Sequence, residues 1–254
     1  MTARPTAPPS PQTAAGQSLG AMPCCVSLPA PYYDRDGITI YHGDNRQILP
    51  LLGRFDLLLT DPPYGIGADL GAGKSAKKWT EHTGNERWDE STPPRWLMDM
   101  LREKSDWQVI WGGNYFELPP SPCWLFWDKE TAGVTTFADG EMAWTNLPKA
   151  VRMVRHLWSG PYMKVKEVRH HPTQKPLQVI QWAIQQAGDI QTILDPFAGS
   201  GTTGHAAKNL GKRCVMIERE ERYCEIAALR LAQDVLNFDS HNAGVLAHAD
   251  EKTL

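Results

Sequence analysis

The chain has 254 residues, which fits one α/β domain or two small ones and allows a real hydrophobic core. Its hydrophobic content of 41% and charged content of 22% are ordinary for a globular protein in solution. No run approaches the roughly 20 apolar residues of a membrane helix, and the N-terminus lacks a secretory pattern, so we expect neither a membrane-spanning nor an exported protein.

The charge distribution and the cysteines bear on the expected partners, metal sites and cellular location of the protein. The net charge of −3 does not by itself indicate a nucleic-acid partner, but residues 149–169 hold six Lys or Arg against one acid. The five cysteines show no CxxC spacing and no metal-like pairing, so we expect no metal site. Cys214 and Cys224 lie in helix or strand patterns and are expected to be buried thiols. Reduced cysteines are typical of the cytoplasm, which is the predicted location.

The first 59 residues are predicted to form a tail, a strand, a short helix and a buried strand, in that order. Residues 1–30 are rich in Pro, Ala, Ser and Thr and predict a disordered tail. Ile38–His42 is predicted as the first strand, and Asp44 or Asn45 as the cap of a short helix that extends to Leu52. The apolar run at 55–59 predicts a buried parallel strand.

This strand runs directly into Asp61-Pro62-Pro63-Tyr64-Gly65, at the edge where α/β sheets bind ligands. The two prolines lock φ and remove backbone donors, so the turn presents carbonyls in a fixed direction. Asp61 can accept one N–H of a planar exocyclic amine, the Pro62 carbonyl can accept the other, and Tyr64 can stack on the ring. Both bonds favour a more tetrahedral nitrogen whose lone pair can attack. The alternative is an ordinary proline turn in which Asp61 caps a neighbouring group.

A polar loop at 66–90 follows this turn. It combines aromatic residues with basic ones, among them Lys74, Lys77 and Lys78. Because a structureless loop of this length inside a domain is usually functional, we predict a mobile flap that closes over nucleic acid. An insertion without function is an alternative of equal weight.

The middle of the chain is predicted to complete the sheet. We expect a helix at 92–101 and strands at 107–111, 123–127, 141–145 and 151–158. The last strand alternates apolar and basic residues and is predicted to be antiparallel and half-exposed. Arg152, Arg155 and Arg169 form a predicted basic patch. A further helix is expected to begin near Pro176 and to end at Gly188.

A second motif lies in a βαβ unit, whose parts are predicted at 192–194, 205–210 and 213–217. Gly199, Gly201 and Gly204 match the GxGxxG spacing of dinucleotide-binding proteins, so a nicotinamide or flavin dinucleotide is one candidate. Asp195 argues against it, because a carboxylate in this turn repels a pyrophosphate. A cationic ligand such as S-adenosylmethionine reverses that logic, and Glu218 is placed to bind its ribose hydroxyls.

Three segments together resemble the signatures of the amino-group DNA methyltransferases. They are Asp61-Pro62-Pro63-Tyr64, His171-Pro172-Thr173-Gln174-Lys175-Pro176 and Asp195-Pro196-Phe197-Ala198-Gly199-Ser200-Gly201-Thr202. Their order, with the catalytic motif before the cofactor motif, resembles the β class of this family. The resemblance covers roughly residues 41–231 and includes Gly112-Gly113-Asn114-Tyr115-Phe116.

The resemblance implies an α/β, Rossmann-like, S-adenosylmethionine-dependent methyltransferase fold. Its sheet would be seven-stranded and mostly parallel, with one antiparallel strand and a permuted motif order. The methyltransferase domain is expected at 31–236, with the mobile loop at 66–90 and a small target-recognition region at 129–169. Residues 237–254 would form a C-terminal tail.

The resemblance also implies a set of site residues. Asp61, Pro62, Pro63 and Tyr64 would hold the target base. Asp44 would contact the adenine end of the cofactor, and Thr173 and Lys175 the methionine end. The other implied cofactor-binding residues are Asp195, Phe197, Ala198, Gly199, Gly201, Thr202 and Glu218. The expected DNA-binding residues are Lys74, Lys77, Lys78, Arg152, Arg155 and Arg169.

The implied activity is methylation of the exocyclic N6 amine of adenine in double-stranded DNA, after the base is flipped out of the helix. Asp61 resembles the adenine enzymes, whereas cytosine-N4 enzymes often carry Ser at this position, so N4-cytosine methylation is the alternative. A non-catalytic DNA-binding protein or an NAD-binding Rossmann-like protein is a further alternative. The resemblance is to bacterial or phage enzymes of restriction-modification type, and it leaves monomer and homodimer open.

Overall fold

The computed structural model describes residues 27–67, 89–131, 138–158 and 173–233. Most of the predicted N-terminal tail, most of the predicted loop at 66–90 and all of the predicted C-terminal tail lie outside the described residues. The predicted target-recognition region at 129–169 is described only in part.

One sheet carries the fold. The nine strands in the described part of the chain are β1 (Tyr33–Arg35), β2 (Ile38–His42), β3 (Phe55–Thr60), β4 (Ser105–Trp111), β5 (Trp124–Asp128), β6 (Gly140–Thr145), β7 (Arg152–Arg155), β8 (Thr192–Asp195) and β9 (Arg213–Glu218). The α-helices of the same ranges are α1 (Asn45–Ile48), α2 (Arg95–Glu103), α3 (Leu177–Gln186), α4 (Thr202–Asn209) and α5 (Glu221–Ala232). Short 3-10 helices lie at Leu49–Leu51 and Gly113–Tyr115.

The strand order is β1-β2-β9-β8-β3-β4-β6-β5-β7. Strands β2, β9, β8, β3 and β4 are parallel to their neighbours in this run. Strand β6 is antiparallel to both β4 and β5, and β1 is antiparallel to β2. The predicted α/β fold with a mostly parallel sheet is therefore confirmed. Because β2, β3, β8 and β9 run in one direction, their carboxyl ends meet at one edge of the sheet.

Two expectations about strands were wrong. The resemblance implies seven strands, but the described sheet contains nine, including the three-residue β1, which is too short to show a pattern in the sequence. The strand predicted at 151–158 is shorter, is mostly exposed and pairs parallel with β5 rather than antiparallel. In the sheet, β6 lies between β4 and β5 and is antiparallel to both, so β5 runs in the same direction as β4. Because β7 pairs parallel with β5, it also runs in the direction of the central strands.

Both faces of the central strands are buried. Leu57 and Leu59 belong to a hydrophobic cluster on one face, and Leu58 belongs to a cluster on the other. All three side chains are fully buried, as expected for a parallel strand covered on both sides. This burial holds the end of β3, where Asp61 follows, in a fixed position.

Helix α3 begins as its sequence predicts. Pro176 precedes its first residue, and Ile180, Ala183 and Ile184 face the core at helical spacing. Gly188, with a φ of 82°, lies just beyond its end. None of the helices in the described ranges is long and apolar enough to cross a membrane.

Candidate active site

Two turns meet at the carboxyl edge of the sheet. We call residues 61–65 the proline turn and residues 195–201 the glycine turn; they follow β3 and β8, which are paired neighbours. The Thr60 hydroxyl donates a hydrogen bond to Asp195 Oδ1 at 3.0 Å. The two predicted motifs, more than 130 residues apart in the chain, are therefore joined directly in space.

A cleft of about 400 Å³ opens over these turns. Its volume falls within the range of small-molecule sites, about 300–1,000 Å³. Eleven of the predicted site residues line it: Asp44, Asp61, Pro63, Thr173, Lys175, Asp195, Phe197, Ala198, Gly199, Thr202 and Glu218. Pro62, Tyr64 and Gly201 are not part of its lining. The structure thus brings most of the predicted cofactor and catalytic residues to one cavity.

Asp61 is held by two neighbours at the start of the proline turn. Its Oδ2 forms an ion pair with the Lys175 ammonium, and its Oδ1 accepts the hydroxyl of Tyr64. The side chain of Lys175, which was expected to contact the methionine end of the cofactor, is only 5% exposed and is aimed at Asp61. Asp61 keeps 28% of its side chain exposed, so its carboxylate can still be reached from the cleft.

Asp89 fixes the backbone of the proline turn. Its Oδ1 accepts the N–H of Tyr64 at 2.6 Å and the N–H of Gly65 at 2.8 Å. Asp89 itself is buried. Sequence analysis missed this residue, because it lies at the far end of the polar loop and belongs to no motif. Two charge-assisted bonds to consecutive N–H groups make the turn rigid without using its prolines.

Tyr64 lies between an aromatic neighbour and a glycine. Its ring stacks on Tyr115, with centroids 4.9 Å apart and planes 15° apart. A Cβ added at Gly112 would lie 2.1 Å from the Tyr64 ring, and Gly112 has a φ of 66°. Position 112 therefore favours glycine for two reasons: its backbone is left-handed, and a side chain there would clash with the Tyr64 ring.

A partly buried network of charges extends from Asp61 into the sheet. Lys175 Nζ lies 3.2 Å from Glu141 Oε2, and Lys129 Nζ lies 2.7 Å from Glu141 Oε1. Glu141 and Lys129 were not predicted as site residues. Glu141 belongs to a short strand with no recognisable signature, so only the strand pairing could reveal it.

The network shifts the protonation of its members. Burial raises the pKa of Asp61 above its ordinary value; the ammonium of Lys175 opposes the rise and the charge of Glu141 adds to it. Burial alone would lower the pKa of Lys175, but the charges of Asp61 and Glu141 hold that pKa above its usual range. Burial alone would raise the pKa of Glu141, which Lys175 and Lys129 nevertheless keep below its ordinary value. Lys175 is therefore a permanent cation at neutral pH.

Asp195 has a different environment. It is 3% exposed and accepts hydrogen bonds from Thr60, from the N–H of Phe197 and from the Thr203 hydroxyl. All three donors are neutral. Burial raises the pKa of Asp195 to about 6, because hydrogen bonds from neutral groups compensate the charge only in part. The site would therefore be stabilised by a cation near this carboxylate.

Glu218 closes the opposite side of the glycine turn. Its Oε2 accepts the N–H of Gly199 at 2.7 Å, and its Oε1 accepts the N–H of Glu220 at 2.8 Å. Burial raises the pKa of Glu218, and these backbone N–H bonds oppose the rise. Each oxygen retains acceptor capacity, which suits donors such as ribose hydroxyls.

Gly201 and Gly204 of the GxGxxG spacing have a packing role that the sequence does not suggest. The glycines of this motif were expected to let a ligand approach the backbone, but only Gly199 lines the cleft. A Cβ at Gly201 would lie 2.6 Å from Ala227 of α5, and one at Gly204 would lie 2.4 Å from Met216 of β9. Gly201 and Gly204 are therefore needed for close packing of the helices and sheet rather than for ligand contact. Gly201 also takes a φ of 78° where α4 begins, three residues before the predicted start.

Asp44 and Asn45, just after β2, make contacts beyond the helix cap that the sequence predicts. Asp44 caps α1 through the N–H of Arg46, and both its oxygens also accept the Arg46 guanidinium at 2.9 Å. The hydrogen bonds from Arg46 hold the pKa of Asp44 below its usual range. Asn45, which was considered only as a cap, donates its side-chain amide to the carbonyl of Pro196 at 3.0 Å. It thereby ties the end of β2 to the glycine turn.

The predicted DNA-binding residues are only partly covered. Lys74, Lys77, Lys78 and Arg169 lie outside the described residues, as do His171 and Pro172. Arg152 and Arg155 lie on the exposed strand β7, where Arg155 pairs with Asp128 at 3.2 Å. The thiols of Cys214 and Cys224 are buried and free, as predicted.

Comparison with known proteins places this chain in a family. A family model for N6/N4 methylases, described as DNA methylase, matches residues 100–229. The type II methyltransferase M2.DpnII of Streptococcus pneumoniae is 28% identical over 253 residues, covering 81% of this chain and 94% of that protein. The type II methyltransferase M2.LlaDCHI of Lactococcus lactis subsp. cremoris is 25% identical over 262 residues, covering 81% and 93%.

A solved structure shares the fold. The PvuII DNA methyltransferase, a cytosine-N4-specific enzyme, is 14% identical and has a TM-score of 0.50, with 78% of this chain and 87% of that chain covered. This likeness concerns the fold alone. The family model, by contrast, spans just over half of the chain, from the end of α2 to α5, and includes the glycine turn and Glu218. The chain therefore belongs to the N6/N4 family of DNA methylases.

Proposed function

We propose that the chain transfers a methyl group from S-adenosylmethionine to the N6 amine of adenine in double-stranded DNA. S-adenosylmethionine is the cofactor of this family. The observation that carries the proposal is the hydrogen bond between Thr60 and Asp195, because it joins the turn suited to an amine to the turn suited to the cofactor.

The glycine turn fits a cationic ligand and disfavours an anionic one. The N–H of Gly199 and the N–H of Phe197, which a pyrophosphate would need, already donate to the carboxylates of Glu218 and Asp195. Asp195 would accept stabilisation from a sulfonium or an ammonium, and Glu218 would accept ribose hydroxyls. These contacts support S-adenosylmethionine over NAD.

S-adenosylmethionine, held by Asp195 and Glu218, would supply an electrophilic methyl group and a neutral thioether leaving group for attack by the amine nitrogen. Asp61 accepts one N–H of the amine and raises the electron density on the nitrogen. The rigid proline turn, fixed by Asp89, orients this carboxylate before the amine arrives. Asp61 is also the acceptor for the proton that the methylated amine must lose.

Tyr64 is the platform for the target base. Its ring is already engaged in a parallel stack with Tyr115, which shows that it offers a flat face to another ring. A base that takes this face would replace Tyr115, a residue that is 44% exposed. The Tyr64 hydroxyl stays a neutral donor, since burial raises its pKa well above 10.

Adenine is preferred because position 61 is Asp, although cytosine N4 presents the same local chemistry. The test is transfer of labelled methyl from S-adenosylmethionine to unmethylated duplex DNA, followed by nucleoside analysis. Label in N6-methyladenine is expected. Label in N4-methylcytosine would mean that the target base is cytosine and that the type of reaction is as proposed. Absence of label from DNA of varied sequence, with the cofactor bound, would refute DNA as the substrate.

Two variants make this experiment specific. Asp61→Ala is expected to lower methyl transfer by about 10³-fold, similar to the loss of one electrostatic group in other active sites, and to leave cofactor affinity within about twofold. Asp106→Ala, which removes an exposed Asp that pairs with Arg54 far from the cleft, is the matched control. Unchanged methylation by Asp61→Ala would contradict the mechanism.

A further inference from the structure

We propose that Glu141 positions the carboxylate of Asp61 by holding Lys175 away from exclusive pairing with it. This inference rests on the proposed function and extends it to a residue outside every recognised motif. Glu141 lies opposite Trp127 in the antiparallel pair of β6 and β5, so the sheet register aims its side chain toward Lys175.

The three N–H donors of the Lys175 ammonium have three partners. They are Asp61 Oδ2, Glu141 Oε2 at 3.2 Å and the Tyr64 hydroxyl at 3.3 Å. The ammonium also lies 5.2 Å from the centre of the Trp111 ring. Lys175 is thus a shared cation that lies between two carboxylates, and its position is determined by both.

Lys129 makes this sharing stable. It pairs with Glu141 Oε1 at 2.7 Å and lies 5.1 Å from the centre of the Trp127 ring. Two carboxylates and two ammonium groups therefore alternate in one partly buried row: Asp61, Lys175, Glu141 and Lys129. The row is neutral overall, which allows it to exist inside the protein with all its charges in place.

The consequence concerns the lone pairs of Asp61. The Lys175 ammonium is already in contact with Asp61, and without a second anion its whole charge would act on that carboxylate and compete more strongly with the target amine for its oxygens. With Glu141 present, part of the positive charge is directed away, and Asp61 keeps acceptor capacity for an N–H. Glu141 is accordingly a positioning residue: it acts through Lys175 and touches neither substrate nor cofactor.

The pH profile distinguishes this role from a merely structural one. The charged groups that face Asp61 are Lys175 ahead of α3, Glu141 on β6 and Asp195 after β8, while Tyr64 donates from its own turn. Glu141 raises the pKa of Asp61 and Lys175 lowers it. Loss of the Glu141 charge therefore lowers the pKa of Asp61, and the acidic limb of kcat/KM moves to lower pH.

Glu141→Gln tests the proposal, because glutamine keeps the shape and one acceptor but removes the charge. We expect kcat to fall about tenfold, the lower end of the range seen when the outer partner of a functional group is lost. Affinity for S-adenosylmethionine should remain within about twofold, and the acidic limb should shift to lower pH. Glu117→Gln, which removes an exposed acid paired with Arg95, is the control.

A second readout does not need activity. Carbon-13 NMR of the Asp61 carboxyl, assigned by comparison with Asp61→Asn, gives its titration in the cofactor-free protein. A shift to lower pH in Glu141→Gln supports the proposal. An unchanged titration, or a lower kcat with the acidic limb in its original place, would overturn it. If the unaltered protein methylates no DNA, the proposed function fails, while the Asp61 titration still decides whether Glu141 acts on this carboxylate.

Discussion

The proline turn and the glycine turn each present a carboxylate at the same edge of the sheet, but the two carboxylates differ in their partners. Asp61 is paired with a cation, Lys175, which comes from the segment just before α3. Asp195 is surrounded by neutral donors, and its pKa rises to about 6. The contrast teaches that Asp61 has its countercharge before any ligand binds, whereas Asp195 has none and would be stabilised by the cationic ligand proposed above.

The two turns also differ in what fixes them. The proline turn depends on side chains from distant elements, namely Asp89, Lys175 and Tyr115. The glycine turn is also held by the side chains of Asn45 and Glu218, but it depends in addition on the close packing of Gly201 against Ala227. Substitutions in the partners of the proline turn should therefore affect reaction rate, and substitutions in the glycine turn should affect cofactor affinity.

The largest effect on stability is expected from Lys175→Met. This change leaves Asp61 without its cation and Glu141 with Lys129 alone, so the free energy of unfolding at pH 8 should fall by about 3–5 kcal/mol. The loss should shrink toward pH 5, where a carboxyl deprived of its cation can take up a proton. Urea unfolding at the two pH values measures it. An equal loss at both would show that the charges are not the cause.

Gly112→Ala should separate the shape of the site from its charges. The new methyl group would meet the Tyr64 ring, so we expect methyl transfer to fall by about 100-fold through displacement of Tyr64. Gly188→Ala is a matched control, because Gly188 has a similar φ of 82° but no atom within 4 Å of the added methyl. It should cost about 1 kcal/mol of stability and leave the rate unchanged. Equal rates in both variants would contradict the assigned role of Gly112.

Asp195→Asn should raise the stability of the fold and lower the affinity for the cofactor. The rise of the Asp195 pKa from 3.8 to about 6 means that the fold disfavours the charged form, by up to about 3 kcal/mol. The stability that this group provides in its protonated form is complete below pH 3.8 and is lost as the pH rises through 6. The variant should therefore be more stable above pH 6 and equal to the original protein near pH 3.8.

The same variant should bind S-adenosylmethionine more weakly, by about tenfold or more, since a cation near position 195 loses its countercharge. Thermal unfolding across pH and calorimetry with the cofactor provide the two measurements. Tight binding by Asp195→Asn at pH 8 would remove Asp195 from the cofactor site.

The smallest effect is expected from Thr60→Val, which keeps the shape of a buried side chain but removes the donor to Asp195. The free energy of unfolding at pH 8 should fall by about 1.5 kcal/mol, the lower value for a hydrogen bond to a charged group. The loss should be smaller at pH 5, where Asp195 is mostly protonated. A loss that does not depend on pH would mean that packing, not the hydrogen bond, joins the two turns.

Local patterns predicted several elements well. The apolar run before Asp61, the start of α3 at Pro176 and the strand before Asp195 were all found, because burial of one or both faces leaves a regular mark on neighbouring residues. β1 and the direction of β7 were missed or wrong, since a three-residue strand has no period and parallel pairing depends on where the partner strand lies.

The sequence by itself determined which chemical groups are available: a carboxylate and an aromatic ring after one strand, and a carboxylate with glycines after another. Only the tertiary structure decided which of these groups share charge. Lys175 pairs with Asp61, and Glu141 and Asp89 enter the site from positions with no motif. The physical reason is that electrostatic coupling depends on distance and burial, which sheet order and register set between residues far apart in the chain.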